Sequence, residues 1–261
     1  MKNVNEILKW MNQNQKINYD RLLQKLIKSW EEQNVRPKIL MHACCAPCTT
    51  YPLEYLCQYA DITIYYYNNN IQPRNEWERR RIVLRNFIKD FNEKTGNDVQ
   101  IIETKYQPNT YLKEVKNLHN EPEGGLRCNV CYNLRLTAAA LYAKEHNFDY
   151  FGTSLTISPH KNSQTLNQIG IEIQHLYQTK WLPSDFKKNN GFHRSIEICE
   201  EYNVYRQKYC GCLFAAKKME MLDLKQISRE ADEFVKLNHD RYSNFDLVKF
   251  NFQHKETSTV D

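Results

Sequence analysis

Apolar and polar positions along this chain repeat with two periods, and the switches between them divide it into elements. Apolar residues fall at Leu22, Leu23, Leu26, Ile27 and Trp30, the spacing of one helix face, with Asp20 as the expected cap. Pro37 ends that pattern, and Lys38-Ile39-Leu40-Met41-His42-Ala43 then reads as a buried strand. A helix is predicted from about Thr50 to Tyr59. The run DITIYYY at 61–67 is a second strand, ended by Asn68-Asn69-Asn70. A charged helix over about 75–91, a strand at 99–103, a helix from near Cys131 to about His146 and a strand at 148–153 follow.

Strands alternating with helices at this spacing predict βαβ units and a parallel sheet. Ligands of such sheets sit beyond the carboxyl ends of the strands. Cys44 and Cys45 lie just past the first strand, and Thr153 and Ser154 just past the fourth. Beyond about residue 155 the pattern is mostly helical. The expected organisation is an N-terminal helical extension (1–36), a single α/β catalytic domain with a helical C-terminal part (37–254) and a disordered polar tail (255–261).

Composition changes this picture little. A length of 261 residues fits one large domain. The 36 basic and 31 acidic residues leave a net charge of +5, compatible with RNA without requiring it. No segment is long and apolar enough to span a membrane, and the N-terminus lacks the apolar core of a signal peptide. The expected location is the cytoplasm, where clustered cysteines read as metal ligands or catalytic thiols.

Cysteine placement changes the picture most. Of nine cysteines, seven fall in three tight groups: Cys44–Cys45–Cys48, Cys128–Cys131 and Cys210–Cys212. A single buried cysteine is often an apolar filler, but three within five residues are poorly explained that way. The first group has neither the two separated CxxC pairs of a zinc ribbon nor the CxxxCxxC of radical-SAM enzymes. The CxxC at Cys128 and Cys131 lets two sulfurs reach one metal from a loop or helix start. With Cys44 and Cys45 it completes four thiolates, the ligand set of a 4Fe–4S cluster or of a four-thiolate zinc. A disulfide between Cys210 and Cys212 would close a small strained ring, as a labile redox pair would; metal ligation is the alternative.

The run from Ser154 to Asn162 is rich in hydroxyls after a strand, so Ser154, Thr156, Lys161 and Asn162 are candidate substrate contacts, an ordinary capped turn being the other reading. Arg194 belongs to a basic stretch suited to RNA phosphates or simply to solvent. Arg79-Arg80-Arg81 reads as a solvated helix face, and Cys57 and Cys199 as core thiols.

The stretches HACCAPCTTYPLE, ITIYYYNNNIQPRNEWERR, EPEGGLRCNVCYNLRL, FGTSLTISPHKN, DFKKNNGFHRS and EYNVYRQKYCGC, running in order from about residue 38 to 214, together resemble the QueH-type epoxyqueuosine reductases. The resemblance implies a Rossmann-like α/β fold of the adenine-nucleotide alpha-hydrolase class. It implies cobalamin-independent reduction of epoxyqueuosine at the tRNA wobble position to queuosine. The 4Fe–4S cluster would sit on Cys44, Cys45, Cys128 and Cys131, and Cys210 and Cys212 would form the redox-active disulfide. A second, mononuclear iron is also implied, its ligand position after the CCxP turn being Cys48 here and an acid in some relatives. The partners are then tRNA carrying epoxyqueuosine and an unidentified electron donor, with no membrane. No SGGxDS-like pyrophosphate loop is found, so no ATP use is expected.

Turning an epoxide into an alkene takes two electrons and two protons and releases water. His42, Glu123 and Tyr132 are the candidate proton donors near the thiols. The rival readings are an ATP-dependent tRNA thiolation enzyme and a zinc-stabilised RNA-binding protein.

Overall fold

The computed structural model describes residues 16–217 and 223–242; the tail expected at 255–261 lies outside them. Its centre is a four-stranded, wholly parallel sheet in the order β3-β2-β1-β4: β1 is Lys38–His42, β2 Asp61–Tyr66, β3 Gln100–Glu103 and β4 Tyr150–Thr153. β1 is buried from Ile39 onward, so it reads as an apolar run rather than an alternation. In register, Ile39 lies between Ile62 and Tyr150, and His42 between Tyr65 and Thr153. The predicted α/β architecture is therefore the observed one.

The helices sharpen several predicted boundaries. α1 (Tyr19–Glu32) buries the predicted face, but its cap is Asn18, whose side chain accepts from the Arg21 amide at 3.1 Å, while Asp20 sits in the first turn. α2 (Ala46–Leu56) starts earlier than predicted because Pro47 supplies helical φ in the first turn, where its missing N–H costs nothing. α3 (Arg74–Thr95) ends at Gly96, which takes up the left-handed conformation of a helix stop. α4 (Pro108–Val115) was not predicted. α5 (Leu126–Glu145) begins before Cys128 and packs on β1 and β4. A 3₁₀ turn (Ser154–Ile157) leads to α6 (Ser163–Tyr177), α7 (Gly191–Glu201), α8 (Leu213–Lys217) and α9 (Leu224–Tyr242). No helix among the described residues is long and apolar enough to cross a membrane.

α6 is positioned by Trp181, which is fully buried, bridges to Phe151 beside β4 and donates its indole N–H to Asn167 Oδ1 at 3.1 Å. A Cβ at Gly170 would lie 2.3 Å from this ring. Gly170→Ala is expected to destabilise the protein by roughly 1–3 kcal/mol, the usual cost of overpacking. An unchanged urea midpoint would show that the indole yields freely.

Candidate metal centre

The chain leaves β1 at His42 and turns at once into the first thiol group. The His42 ring is buried and lies 3.2 Å (Nε2) from the Tyr67 carbonyl and 3.1 Å (Nδ1) from Thr153 Oγ1. A carbonyl only accepts, so Nε2 carries the hydrogen. Burial, reinforced by Arg135, lowers the imidazole pKa to about 3. His42 is thus a neutral tie across the strand ends, not a proton source aimed at the thiols.

Cys45 is the residue before α2, and Cys48 lies in its first turn, which brings the two sulfurs and that of Cys44 together. The three Sγ atoms lie within 4.8 Å of one another, Cys44 and Cys45 being 3.4 Å apart. Hydrogen bonds from Cys45 and Cys48, aided by Lys161 and Arg135, hold the Cys44 thiol well below its ordinary range. The hydrogen bond each makes to Cys44, together with burial, pushes Cys45 up to about 12 and raises Cys48. One thiolate is shared by two thiols, as expected for a soft donor set ready for a metal.

In the second group, Cys128 falls in the first turn of α5 and Cys131 in the second. Cys131 is buried and pushed up to about 12, chiefly by burial, while Cys128 is half-buried and accepts from the Gly124 amide at 3.2 Å. In the third group, Cys212 Sγ lies 3.2 Å from the Tyr111 hydroxyl, and Cys131, Cys212 and Tyr111 share one small buried cluster. All nine cysteines are free thiols, so the disulfide expected between Cys210 and Cys212 is not formed here.

Two buried cations connect the groups. Arg135, one turn beyond Cys131, donates to the Cys131 carbonyl at 3.2 Å, and its charge, like that of Lys161, pairs with the ionised form of Cys44. Both therefore rise above their ordinary values despite burial. Tyr132 is buried with the Arg135 guanidinium 5.6 Å from its ring, and burial pushes its hydroxyl up. Glu123, the remaining candidate proton donor, is exposed.

The loop bearing Cys210 and Cys212 is anchored from α3. Arg80 is buried, pairs with Glu76 at 2.7 Å and donates to the carbonyls of Tyr209 and Cys210, each at 3.1 Å. Gly211 has φ +108°, and a Cβ there would meet Ile71 at 2.8 Å. The Gln72 amide donates to the Gly211 carbonyl at 2.8 Å. The arginine triplet is thus not a solvated face. Arg79 lies 3.5 Å over the Tyr205 ring, Arg80 holds the cysteine loop, and Arg81 pairs with Glu78 and Glu103.

The candidate substrate contacts separate. Lys161 is buried at the thiols, and the buried Ser154 hydroxyl has no partner. Thr156 Oγ1 lies 3.0 Å from Ser184 Oγ, Asn162 caps α6, and Arg194 is bound by Glu54, Glu197 and Glu201. Residues with no local sequence signal also reach the site. Asn70 is buried with both amide atoms unpartnered, as is Arg135 Nη2, and both line a small cavity with Tyr111 and Cys131. Gln207 donates to Cys45 Sγ at 2.9 Å.

Clustered soft donors beside buried cations, at the carboxyl edge of a parallel sheet, define a cysteine-based metal-binding protein of α/β fold. Residues 39–218 match the sequence profile of the family described as epoxyqueuosine reductase QueH. The epoxyqueuosine reductase QueH of Streptococcus pyogenes serotype M1 is 54% identical over 256 residues, covering 98% of this chain and 100% of that protein. Its counterpart from Staphylococcus epidermidis is 53% identical over 233 residues, 88% of this chain and 97% of its own. That of Thermotoga maritima is 31% identical over 177 residues, 68% and 89% of the two chains. The chain belongs to the QueH family of epoxyqueuosine reductases and is an oxidoreductase.

Proposed function

We propose that this protein reduces the epoxide of epoxyqueuosine at the wobble position of tRNA, giving queuosine, in the cytoplasm. The observation that carries the reading is that, in a chain of this family, the sulfurs of Cys44, Cys45 and Cys48 gather within 4.8 Å of one another just past β1. Cys44, Cys45, Cys128 and Cys131 would hold a 4Fe–4S cluster, and Cys48 is available as a ligand to a second iron. When bound, such a centre supplies single electrons and a Lewis-acidic metal.

The chain's own residues supply the rest. Cys210 and Cys212, as a dithiol, give up two electrons and two protons on closing to a disulfide. That matches the need of an epoxide that becomes an alkene and releases its oxygen as water. A separate electron donor then reopens the disulfide. Arg135 and Lys161 favour the ionised Cys44 sulfur in a low-dielectric site. The Tyr132 hydroxyl, on the residue next to Cys131, delivers a proton toward the leaving oxygen. Of the candidate substrate contacts, Ser154 and Lys161 fit best. Thr156, Asn162 and Arg194 are already engaged within the fold. The unpartnered polar atoms of Asn70, Ser154 and Arg135 support a polar ligand beside the thiols, because buried groups of this kind are ordinarily satisfied. An anticodon loop offers unpaired bases that can be turned outward into such a site.

The test is anaerobic purification with iron, zinc and acid-labile sulfide analysis, followed by conversion of epoxyqueuosine in tRNA by the reduced protein. About four irons and four sulfides per chain are expected for the cluster, with iron beyond that for the second site, together with product. Stoichiometric zinc without sulfide, and no conversion, would replace this reading with a zinc-stabilised RNA-binding protein.

A further inference from the structure

Gln207 stands three residues before Cys210 in the same loop, yet its side chain reaches back to the first cysteine group. Its amide donates to Cys45 Sγ at 2.9 Å, a close approach for a contact to sulfur. Its other terminal atom, Oε1, is buried with no hydrogen-bond partner. An unmatched buried acceptor is costly, and a hydrocarbon of similar size would fill the space without that cost. The amide therefore stands there at a local loss, and the N–H···S contact is what it provides.

The loop around it is otherwise fixed from below. Arg80 grips the Tyr209 and Cys210 carbonyls, and the Tyr209 hydroxyl donates to the Gln72 carbonyl. These contacts hold the loop to α3 and to the segment that leads into it. Gln207 adds a hydrogen bond from that loop to a sulfur of the Cys44–Cys45–Cys48 group.

We propose that Gln207 is a positioning residue that couples the redox loop to the metal centre: its amide lowers the electron density on Cys45 Sγ and registers the Cys210–Cys212 pair against the metal-binding thiols. This deepens the reductase reading and rests on it for the identity of the metal. The physical effect is general. A donor to a ligating sulfur favours the more negatively charged, reduced state of a thiolate-bound centre and makes that sulfur harder to oxidise.

The test uses the full chain with Gln207→Leu, which removes the donor, and Gln207→Glu, which keeps the shape but replaces the donor by an acceptor. In anaerobically purified protein, both variants are expected to retain wild-type iron and sulfide and to show a midpoint potential below wild type, with Glu the lower. Metal-free protein titrated with cobalt(II) provides a readout that needs no iron–sulfur cluster. Loss of the N–H···S bond raises the energy of the sulfur electrons, so the sulfur-to-cobalt charge-transfer band should move to longer wavelength in both variants. A moved cobalt band in a protein that binds only zinc would support the contact while removing the reductase reading. Superimposable cobalt spectra in wild type and both variants, or unchanged potentials in cluster-loaded protein, would overturn the role of Gln207.

Discussion

Cys210→Ala and Cys212→Ala each reduce conversion of epoxyqueuosine in tRNA to background, a loss on the order of 10³-fold or more, while iron and sulfide remain at the wild-type level. The two sulfurs differ in setting. Cys212 is buried against the Tyr111 hydroxyl, whereas Cys210 is only partly buried and interacts with both Arg135 and Lys161. Neither is among the sulfurs proposed to hold the metals, Cys44, Cys45, Cys48, Cys128 and Cys131, so removing either should leave metal binding in place. Because the dithiol supplies its electrons as a pair, the loss of one sulfur should be as damaging as the loss of both, and the double variant should be no worse. Substantial turnover by either single variant, measured with the same tRNA and reductant, would take the pair out of the chemistry.

Arg80→Met should be the most damaging single change for stability, costing about 3–5 kcal/mol. The Arg80 and Glu76 side chains are 1% and 0% exposed and lie 2.7 Å apart. Removing the guanidinium strands a buried carboxylate and frees the Tyr209 and Cys210 carbonyls at once. Urea unfolding measures the cost. The double variant Glu76→Gln, Arg80→Met should recover part of it, since no charge is then left unpaired. The reductase reaction should not recover with it, because the cysteine loop has still lost its anchor. A single variant as stable as wild type would mean that water reaches Glu76.

Much of the fold could be read from periodicity, because apolar runs and helical stripes are local signals. All four strands lie where they were expected, and the buried face of α1 is the predicted one. The thiols past β1 stand at the sheet's carboxyl edge, as βαβ topology requires. Boundaries set by single caps were less legible: Asn18 rather than Asp20 begins α1, and Pro47 draws α2 back to the cysteines. The arginine triplet misled because a helix pattern does not reveal what will cover it. Here α9 closes over α3, Ser228 accepting from Asn75 at 2.7 Å and Glu230 pairing with Arg79 at 3.8 Å. Arg135, Asn70 and Gln207 carry no motif of their own. Each matters only because elements distant in sequence converge at one strand edge.

The anion that Arg135 and Lys161 favour in the interior is the Cys44 thiolate rather than a carboxylate. Carboxylates survive air; thiolates do not. Once oxygen has joined Cys44 to a neighbouring sulfur, that anion vanishes while both cations remain enclosed, and the cavity walls must open to let water reach them. Damage by air should therefore extend past loss of activity to a swollen, protease-sensitive chain. Thiol reductant alone, before any iron is restored, should bring back its compactness.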